Sequence, residues 1–198
     1  MIVNTNTDYL KILATGLSQT TGVIVKSGNK WSTQVKTREL VYRESDLKEM
    51  NPLICKGILL HEIGHLKFTE PVKKISQIQK KYPIIQTTYN AFEDMRIEEK
   101  LINEYGDFAR QALSAHETDV ANQLLGLDLS KSLKLDQFNL LCLAKALNNS
   151  GRIIGEAGGV FTSYFPNQDN DKGLFPKFNK EVEKLFFDHY HEIIDIIY

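Results

Sequence analysis

The stretch that decides the fold is NPLICKGILLHEIGHLK, residues 51–67. Asn51 is a residue type that caps helix N-termini, and Pro52 suits the first helical position, where its missing N–H costs nothing. The apolar residues that follow recur at helical spacing and predict a helix to about Lys67 with a broad, buried apolar surface. The second half of this helix contains the pattern H-E-I-G-H, residues 61–65.

The H-E-x-x-H pattern predicts a metal site. Positions i and i+4 of a helix point the same way, so the imidazoles of His61 and His65 can reach one ion. Glu62 would project toward the open side of that ion and could take a proton from a metal-activated water. Zinc suits such ligands and lowers the pKa of a water to about 7 in favourable sites. The motif therefore predicts Zn²⁺-dependent hydrolysis of an amide or similar carbonyl bond, with Glu62 as the general base.

Two histidines leave a catalytic zinc one protein ligand short, because such sites usually have three. The sequence NAFEDMRIEE, residues 90–99, lies in a helix predicted over 83–104. Glu93 is the predicted third ligand, donated from this second helix, and Asp94 is the alternative. The carboxylate that does not bind, with Asn90 on the same face, could instead accept a hydrogen bond from a ligating imidazole. Acidic residues on a helix are also typical of a solvated face, which is the competing interpretation.

Other polar residues give weaker signals. Arg96 and Glu98 could brace the second helix electrostatically. The hydroxyl of Tyr105 could stabilise an oxyanion, and His116 could contribute to a cleft. Aromatic residues at helical spacing are more often core, and isolated histidines are more often structural or surface residues.

The order of predicted elements, strands first and helices afterwards, favours an α+β fold. We expect a small N-terminal sheet packed on the H-E-x-x-H helix, followed by a mostly helical C-terminal half. We expect a single domain over residues 1–198, with the sheet and the zinc-site helices in 1–106 and a helical subregion in 107–198. Strands are predicted over 22–26, 30–36 and 37–43, and further helices over 8–17, from Pro71, 108–125, 135–148 and 177–197.

Two connections carry specific expectations. Ser27, Gly28 and Asn29 are predicted to form the turn that joins the first two strands, because Gly and Asn accept a positive φ. The stretch 151–176 is rich in Gly, Asn and Asp and is predicted to be a loop. The segment 30–43 could also present a strand edge along which an extended peptide substrate binds through backbone hydrogen bonds.

The overall charge gives no reason to expect nucleic acid or an anionic membrane as a partner, since 24 Lys and Arg residues face 25 Asp and Glu residues. The N-terminus lacks the pattern of a signal peptide, and no apolar run approaches the roughly 20 residues of a membrane span. We therefore expect a cytoplasmic protein whose partner is a peptide or protein substrate.

H-E-x-G-H followed by N-x-x-E-D-x-R-I-E resembles the gluzincin-like metallopeptidase domains of phage and bacterial proteins. These domains are often fused or adjacent to von Willebrand A domains and resemble the cobaltochelatase subunit CobT. The resemblance covers roughly residues 40–113, including EKLINEYG after the second motif. It implies a zincin-like fold, His61, His65 and Glu93 as zinc ligands, Glu62 as the general base, and a phage-encoded hydrolase acting in the host cell or the virion.

A second class of function remains open from the sequence. The chain could be a non-catalytic zinc-binding interaction module that docks a phage structural protein or an ATPase-associated partner. A closed site with four protein ligands would favour such a module, whereas the intact Glu62 favours catalysis, because a purely structural site has no need of it.

Overall fold

The computed structural model describes residues 5–69, 85–167 and 173–197. The chain is α+β and mostly helical (67%), with a three-stranded sheet near the N-terminus. This confirms the predicted α+β class, and the zincin-like fold stays a prediction. The chain divides into two compact units, Met1–Glu70 with Arg96–His116 and Pro71–Met95 with Glu117–Tyr198. The expectation of one domain with a subregion starting at residue 107 stays a prediction.

Helices make up most of the described residues, and all three strands precede the H-E-x-x-H helix in the chain. The helices are α1 (Thr5–Ser18), α2 (Asp46–Glu49), α3 (Pro52–Phe68), α4 (Ile85–Tyr105), α5 (Asp107–Leu124), α6 (Lys134–Ser150), α7 (Gly155–Asn167) and α8 (Lys180–Ile197), and the strands are β1 (Ile24–Gly28), β2 (Ser32–Gln34) and β3 (Glu39–Arg43). The helix predicted from Pro71 lies outside the described residues.

Helix α3 begins where the sequence predicts. The side-chain oxygen of Asn51 accepts a hydrogen bond from the backbone N–H of Leu53 at 2.9 Å, and Pro52 is the first helical residue. At the other end, the N–H of Thr69 donates to the carbonyl of His65 at 3.2 Å. Both ends therefore have partners for backbone groups that a helix leaves unsatisfied.

Helix α3 is the central helix of the first unit because two apolar clusters use different sides of it. Leu59, Ile63 and Leu66 pack in one cluster with residues of α1 and the sheet, including the fully buried Leu40. Leu60 packs in the other cluster with residues of α4 and α5, which are Leu101, Ile102, Ala109, Ala112 and Leu113. The predicted buried surface of this helix is therefore confirmed.

The sheet has the order β1-β3-β2, with β3 in the centre. β1 runs parallel to β3, with Ile24 opposite Glu39, and β2 runs antiparallel to it. The turn predicted at Ser27-Gly28-Asn29 is therefore wrong as a hairpin, because β1 and β2 are not neighbours in this sheet. The hairpin forms between β2 and β3 instead, through a turn in which Arg38 has a φ of 55°.

The second unit has an aromatic core. Tyr164 stacks on Phe175 with ring centroids 3.6 Å apart and planes inclined by 12°. Phe161, Phe165 and Phe186 are buried in the same cluster. Edge-on ring contacts surround the stacked pair, an arrangement that aromatic quadrupoles favour.

The loop predicted over 151–176 is corrected by helix α7. The residues of this helix at positions 157, 161, 164 and 165 are buried, which is one apolar helical face. At Gly158 an added Cβ would lie only 2.5 Å from the carbonyl oxygen of Ile153, so a glycine is required by close packing there. The glycines that suggested a loop therefore include a packing position within a helix.

In the described part of the chain, no helix combines the length and the apolar character needed to cross a bilayer.

Candidate metal centre

The two motif histidines lie together on α3. The ring centroids of His61 and His65 are 4.9 Å apart, and the ring planes are inclined by 83°. Both side chains are partly buried. The separation of four residues thus places the imidazoles side by side, as the 3.6-residue helical turn requires.

Each imidazole is oriented through its Nδ1 atom. Nδ1 of His61 lies 2.8 Å from Oε1 of Glu98 on α4. Nδ1 of His65 lies 3.0 Å from the hydroxyl oxygen of Thr69, just beyond the end of α3. Because an ionised carboxylate only accepts hydrogen bonds, the proton of neutral His61 belongs on Nδ1. Nε2 is then the ring atom whose lone pair is suited to a metal, which is the arrangement of carboxylate–histidine–zinc triads.

An acidic residue of α4 completes a group that could hold a metal ion. The group consists of His61, His65 and Asp94, and one potential ligand atom from each lies within 4.8 Å of those of the other two. The boundary between the two units falls inside α4, after Met95. Asp94 stands one turn before Glu98 on this continuous helix, so both carboxylates share the face that carries the His61 contact.

Helical geometry also separates Asp94 from Glu93. Three residues of α4 lie against the part of α3 that carries the motif: Glu98 at His61, and Ile97 and Leu101 at Gly64. At about 100° per residue, Asp94 is within roughly 15° of the mean direction of these three residues, and Glu93 is about 90° away from it. The structure places Glu93 in a buried position. Its role as a zinc ligand stays a prediction, and Asp94 is the carboxylate that the structure groups with the histidines.

Gly64 explains how α4 comes close to the metal motif. A Cβ at this position would lie 2.8 Å from Cδ1 of Leu101 and 3.2 Å from Cδ1 of Ile97. Two turns earlier, a Cβ at Gly57 would lie 2.2 Å from the carbonyl oxygen of Ala112 on α5. The glycines of α3 thus allow two helices to approach its backbone, and the approach at Gly64 brings Glu98 within reach of His61.

Glu62 is a buried carboxyl residue, with 8% of its surface exposed. Its backbone carbonyl accepts a hydrogen bond from the hydroxyl of Thr33 at 3.0 Å. Thr33 is the central residue of β2, which lies at one edge of the sheet. The predicted general base and an edge strand are therefore joined directly in the first unit.

The remaining predicted residues have structural contacts. Nη2 of Arg96 donates to the carbonyl of Phe68 at 2.7 Å, so this residue braces the end of α3. The hydroxyl of Tyr105 lies 2.9 Å from Nζ of Lys67 and also donates to the carbonyl of Leu17. These contacts tie α1, α3 and α4 together, which is a structural use of the Tyr105 hydroxyl.

Sequence reasoning did not identify the orienting partners of the histidines. Glu98 was expected only to brace α4, and Thr69 was not singled out. The spacing Asp94-x-x-x-Glu98 was the available signal for the role of Glu98, since it puts two carboxylates one helical turn apart on the same face. Asn90, a predicted neighbour of the ligand, lines a cavity of the second unit together with Asp94, and its predicted role at the metal stays a prediction. The ring of His116 is at 5.9 Å from that of His61, centroid to centroid.

Comparison of the chain with protein-family models, with curated proteins and with solved structures gave no match.

Proposed function

We propose that the chain is a zinc-dependent metallopeptidase with a zincin-like active site. His61, His65 and Asp94 hold the metal in this proposal, and Glu62 is the general base for peptide-bond hydrolysis. The observation that carries it is the convergence of two imidazoles and one carboxylate, with ligand atoms within 4.8 Å of one another, on an H-E-x-x-H helix.

The donor set fits zinc in chemistry and in number. Imidazole nitrogen and carboxylate oxygen are both common zinc ligands, and three protein ligands are typical of a catalytic site that keeps one position open. The contact from Glu98 to Nδ1 supports metal binding through Nε2 of His61, because it fixes the ring direction and the tautomer. Thr69 fixes the ring of His65 in a similar way.

Zinc would supply Lewis-acid polarisation of a carbonyl oxygen and would acidify a water molecule. In our proposal, Glu62 accepts the proton of the attacking water and later delivers it to the leaving amine. The burial of Glu62 supports this role, because fixed groups in a water-poor site act more strongly on developing charge than exposed ones.

Strand β2 is the proposed support for the substrate backbone. It pairs with β3 on one side, and Thr33 connects it to the carbonyl of Glu62. An extended peptide added beside β2 would bring its carbonyl groups alongside α3 through backbone hydrogen bonds. This placement favours a peptide or protein as the substrate class.

Metal analysis tests the ligand assignment. We expect purified wild-type protein to hold one zinc per chain, and His61→Ala and Asp94→Ala to lose it. Glu93→Gln should keep its zinc, and the exposed His189, altered to Ala, is the matched control for losing a histidine elsewhere. Loss of zinc in Glu93→Gln with retention in Asp94→Ala would transfer the third-ligand role to Glu93.

Activity on a mixed peptide library tests the catalytic part. Cleavage by wild-type protein should stop when a chelator removes zinc and return when zinc is added. Glu62→Gln should bind zinc with unchanged stoichiometry and lose cleavage, because the amide cannot take the proton of the water. A Glu62→Gln variant that cleaves as fast as wild type would exclude Glu62 as the base.

The closeness of His116 to His61 favours one alternative, a zinc-binding interaction module in which a fourth ligand closes the site. Such a module would dock a phage structural protein or an ATPase-associated partner. His116→Ala separates the two functions. The metallopeptidase should keep its zinc in this variant, whereas a closed four-ligand site should bind zinc much more weakly.

A further inference from the structure

The three-stranded sheet of the first unit is locally basic, although the chain as a whole is nearly neutral. Residues 22–43 contain five basic side chains and one acidic side chain, whereas the whole chain has a formal net charge of −1. All five basic residues are exposed. They are Lys26, Lys30, Lys36, Arg38 and Arg43. The sheet therefore presents a positive surface that the overall composition does not reveal.

Two of these five charges are already paired with carboxylates. Nζ of Lys26 lies 2.7 Å from Oε2 of Glu39, which is the one acidic residue of 22–43. Nη2 of Arg43 lies 2.6 Å from Oδ1 of Asp46. Three basic residues remain for which the described part of the chain shows no carboxylate partner. They are Lys30, Lys36 and Arg38.

The three remaining charges lie at the two ends of β2. Lys30 is two residues before the first residue of this strand, and Lys36 is two residues after its last. Arg38 follows in the turn to β3, where its Nη1 donates to the carbonyl of Thr21 at 2.8 Å. Positive charge without a carboxylate partner therefore flanks β2 on both sides.

Strand β2 also has an edge that can accept another chain. Among the described strands it pairs with β3 alone, and an edge strand presents backbone N–H and C=O groups to a further strand. The hydroxyl of Thr33 bonds the carbonyl of Glu62 on α3, so the alternation of the strand puts Ser32 and Gln34 on the opposite face. Neither of these two side chains is charged. A strand added beside β2 would therefore meet charge mainly at its two ends.

We propose that the substrate is an acidic peptide segment, which pairs with β2 through its backbone and directs Asp or Glu side chains to the flanking basic residues. Lys30 receives a carboxylate at one end of the strand, and Lys36 with Arg38 receives another at the opposite end. This inference rests on the proposed function for its meaning in cleavage, but the binding itself requires no metal. All of these residues belong to the first unit.

The combination of an open strand edge and flanking charge selects one class of partner. A peptide backbone can continue the hydrogen-bonded ladder of the sheet, whereas a nucleic-acid backbone has no N–H groups to pair with β2. A peptide without charge would keep the ladder and lose the attraction at its ends. A basic peptide would meet like charges at both ends, which weakens binding.

Three capped peptides test the charge preference without cleavage. They are acetyl-Asp-Asp-Val-Thr-Val-Asp-Asp-amide and the versions with Asn or Lys in place of Asp, titrated into Glu62→Gln protein with and without added zinc. The zinc-free arm excludes direct binding of the probe carboxylates to the metal. Fluorescence of Trp31 reports binding, because it is the only tryptophan of the chain and directly precedes β2. We expect the Asp peptide to bind about tenfold more tightly than the Asn peptide, and the Lys peptide to bind more weakly than both.

Backbone pairing is tested with an Asp peptide that carries N-methyl groups on its three central amides. It should bind at least fivefold more weakly than the unmodified peptide, because it cannot donate to the strand edge. The backbone amide NMR signals of Ser32 and Gln34 should shift with the unmodified peptide. Equal affinity of the two peptides, or tighter binding of a short oligothymidine than of the Asp peptide, would overturn the inference.

A double variant tests the flanking residues. Lys30→Gln combined with Lys36→Gln should weaken binding of the Asp peptide about fivefold and leave binding of the Asn peptide unchanged. Lys11→Gln combined with Lys56→Gln is the matched control, because these are two exposed lysines on helices of the first unit and the same charge is removed. An unchanged affinity in the first double variant, or an equal loss in both, would also overturn the inference.

Cleavage profiling separates the inference from the proposed function. If the wild-type protein cleaves a peptide library, positions that flank the cut should prefer Asp or Glu, and Lys30→Glu combined with Lys36→Glu should shift that preference toward Lys or Arg. Selective binding of the Asp peptide without any cleavage would reject the metallopeptidase and keep the acidic-peptide site. Cleavage with no acidic preference would reject this site and keep the metallopeptidase.

Discussion

Nδ1 of His61 lies 2.8 Å from Oε1 of Glu98, and this contact joins the H-E-x-x-H helix to α4. The Glu98 side chain is 6% exposed and that of His61 is 16% exposed, so little water competes for the contact. One turn before Glu98, the same helix supplies Asp94 to the metal group. A single helix therefore provides both a candidate ligand and the carboxylate that orients another ligand.

Removal of the Glu98 carboxylate should weaken zinc binding. We expect Glu98→Ala to raise the zinc dissociation constant about 10- to 100-fold, because the ring of His61 loses the acceptor that fixes its tautomer. Glu98→Gln should have a smaller effect, since its side-chain oxygen still accepts a hydrogen bond without the charge. Competition with a fluorescent zinc chelator measures both constants.

Glu99→Gln is the matched control for this change, because Glu99 is the exposed neighbour of Glu98 on α4. It should bind zinc like the wild type. Urea unfolding of each zinc-free variant shows whether the fold is intact. A Glu98→Ala protein that is folded and binds zinc with wild-type affinity would remove Glu98 from the positioning role.

Replacement of three glycines of the first unit by alanine should change the free energy of unfolding by different amounts, set by the space at each Cβ. Gly16→Ala in α1 should raise the free energy of unfolding by about 0.5–1 kcal/mol, since the new Cβ would have no atom within 4 Å apart from its chain neighbours and the backbone of its own helix. Gly64→Ala should change it by about 0 to −2 kcal/mol, because movable side-chain ends of Leu101 and Ile97 offset the gain in helix propensity.

Gly57→Ala should be the most destabilising of the three, with a loss of more than about 3 kcal/mol. Its Cβ would lie 2.2 Å from the backbone carbonyl oxygen of Ala112, which no rotamer change can move away. Denaturant unfolding of the three variants measures the order. Equal stability of Gly57→Ala and Gly16→Ala would contradict the close crossing of α3 and α5.

Local signals made the first part of the fold predictable. Asn51 and Pro52 mark the start of α3 through effects that reach only the first helical turn. The apolar residues of that helix recur at the spacing of its buried positions. Strand pairing could not be derived in the same way. The parallel pairing of β1 with β3 depends on contacts between distant residues, and the turn residues Ser27, Gly28 and Asn29 suggested a hairpin that does not form.

The metal motif was predictable because its two histidines are spaced by one helical turn, whereas its partners depend on how helices pack. Choosing between Glu93 and Asp94 requires the rotation of α4 about its own axis, which the contacts of Gly64 with Ile97 and Leu101 define. The helix α7 was missed for a related reason. In the sequence, Gly158 is typical of a loop, but in the structure its lack of a side chain permits close packing on Ile153.

The second unit should lose stability in strongly alkaline solution because of Tyr164. Burial raises the pKa of this phenol well above its ordinary value of about 10, and the hydrogen bond to Oε1 of Glu183 at 2.5 Å raises it further. Below pH 10 the phenol is protonated in both states. Above pH 10 only the unfolded chain releases the proton, so the free energy of unfolding should fall by up to about 1.4 kcal/mol per pH unit until the folded-state pKa is reached.

Tyr164→Phe isolates this contribution. At pH 7 the variant should be about 1–3 kcal/mol less stable than the wild type, because the buried Glu183 carboxylate loses a hydrogen-bond donor. Between pH 10 and 11 its free energy of unfolding should fall less steeply than that of the wild type. The difference between the two proteins in urea unfolding at each pH cancels the titration of their shared tyrosines and lysines. A difference that stays constant from pH 8 to pH 11 would mean that Tyr164 ionises equally easily in the folded and unfolded chains, and its contact with Glu183 would then have no part in alkaline unfolding.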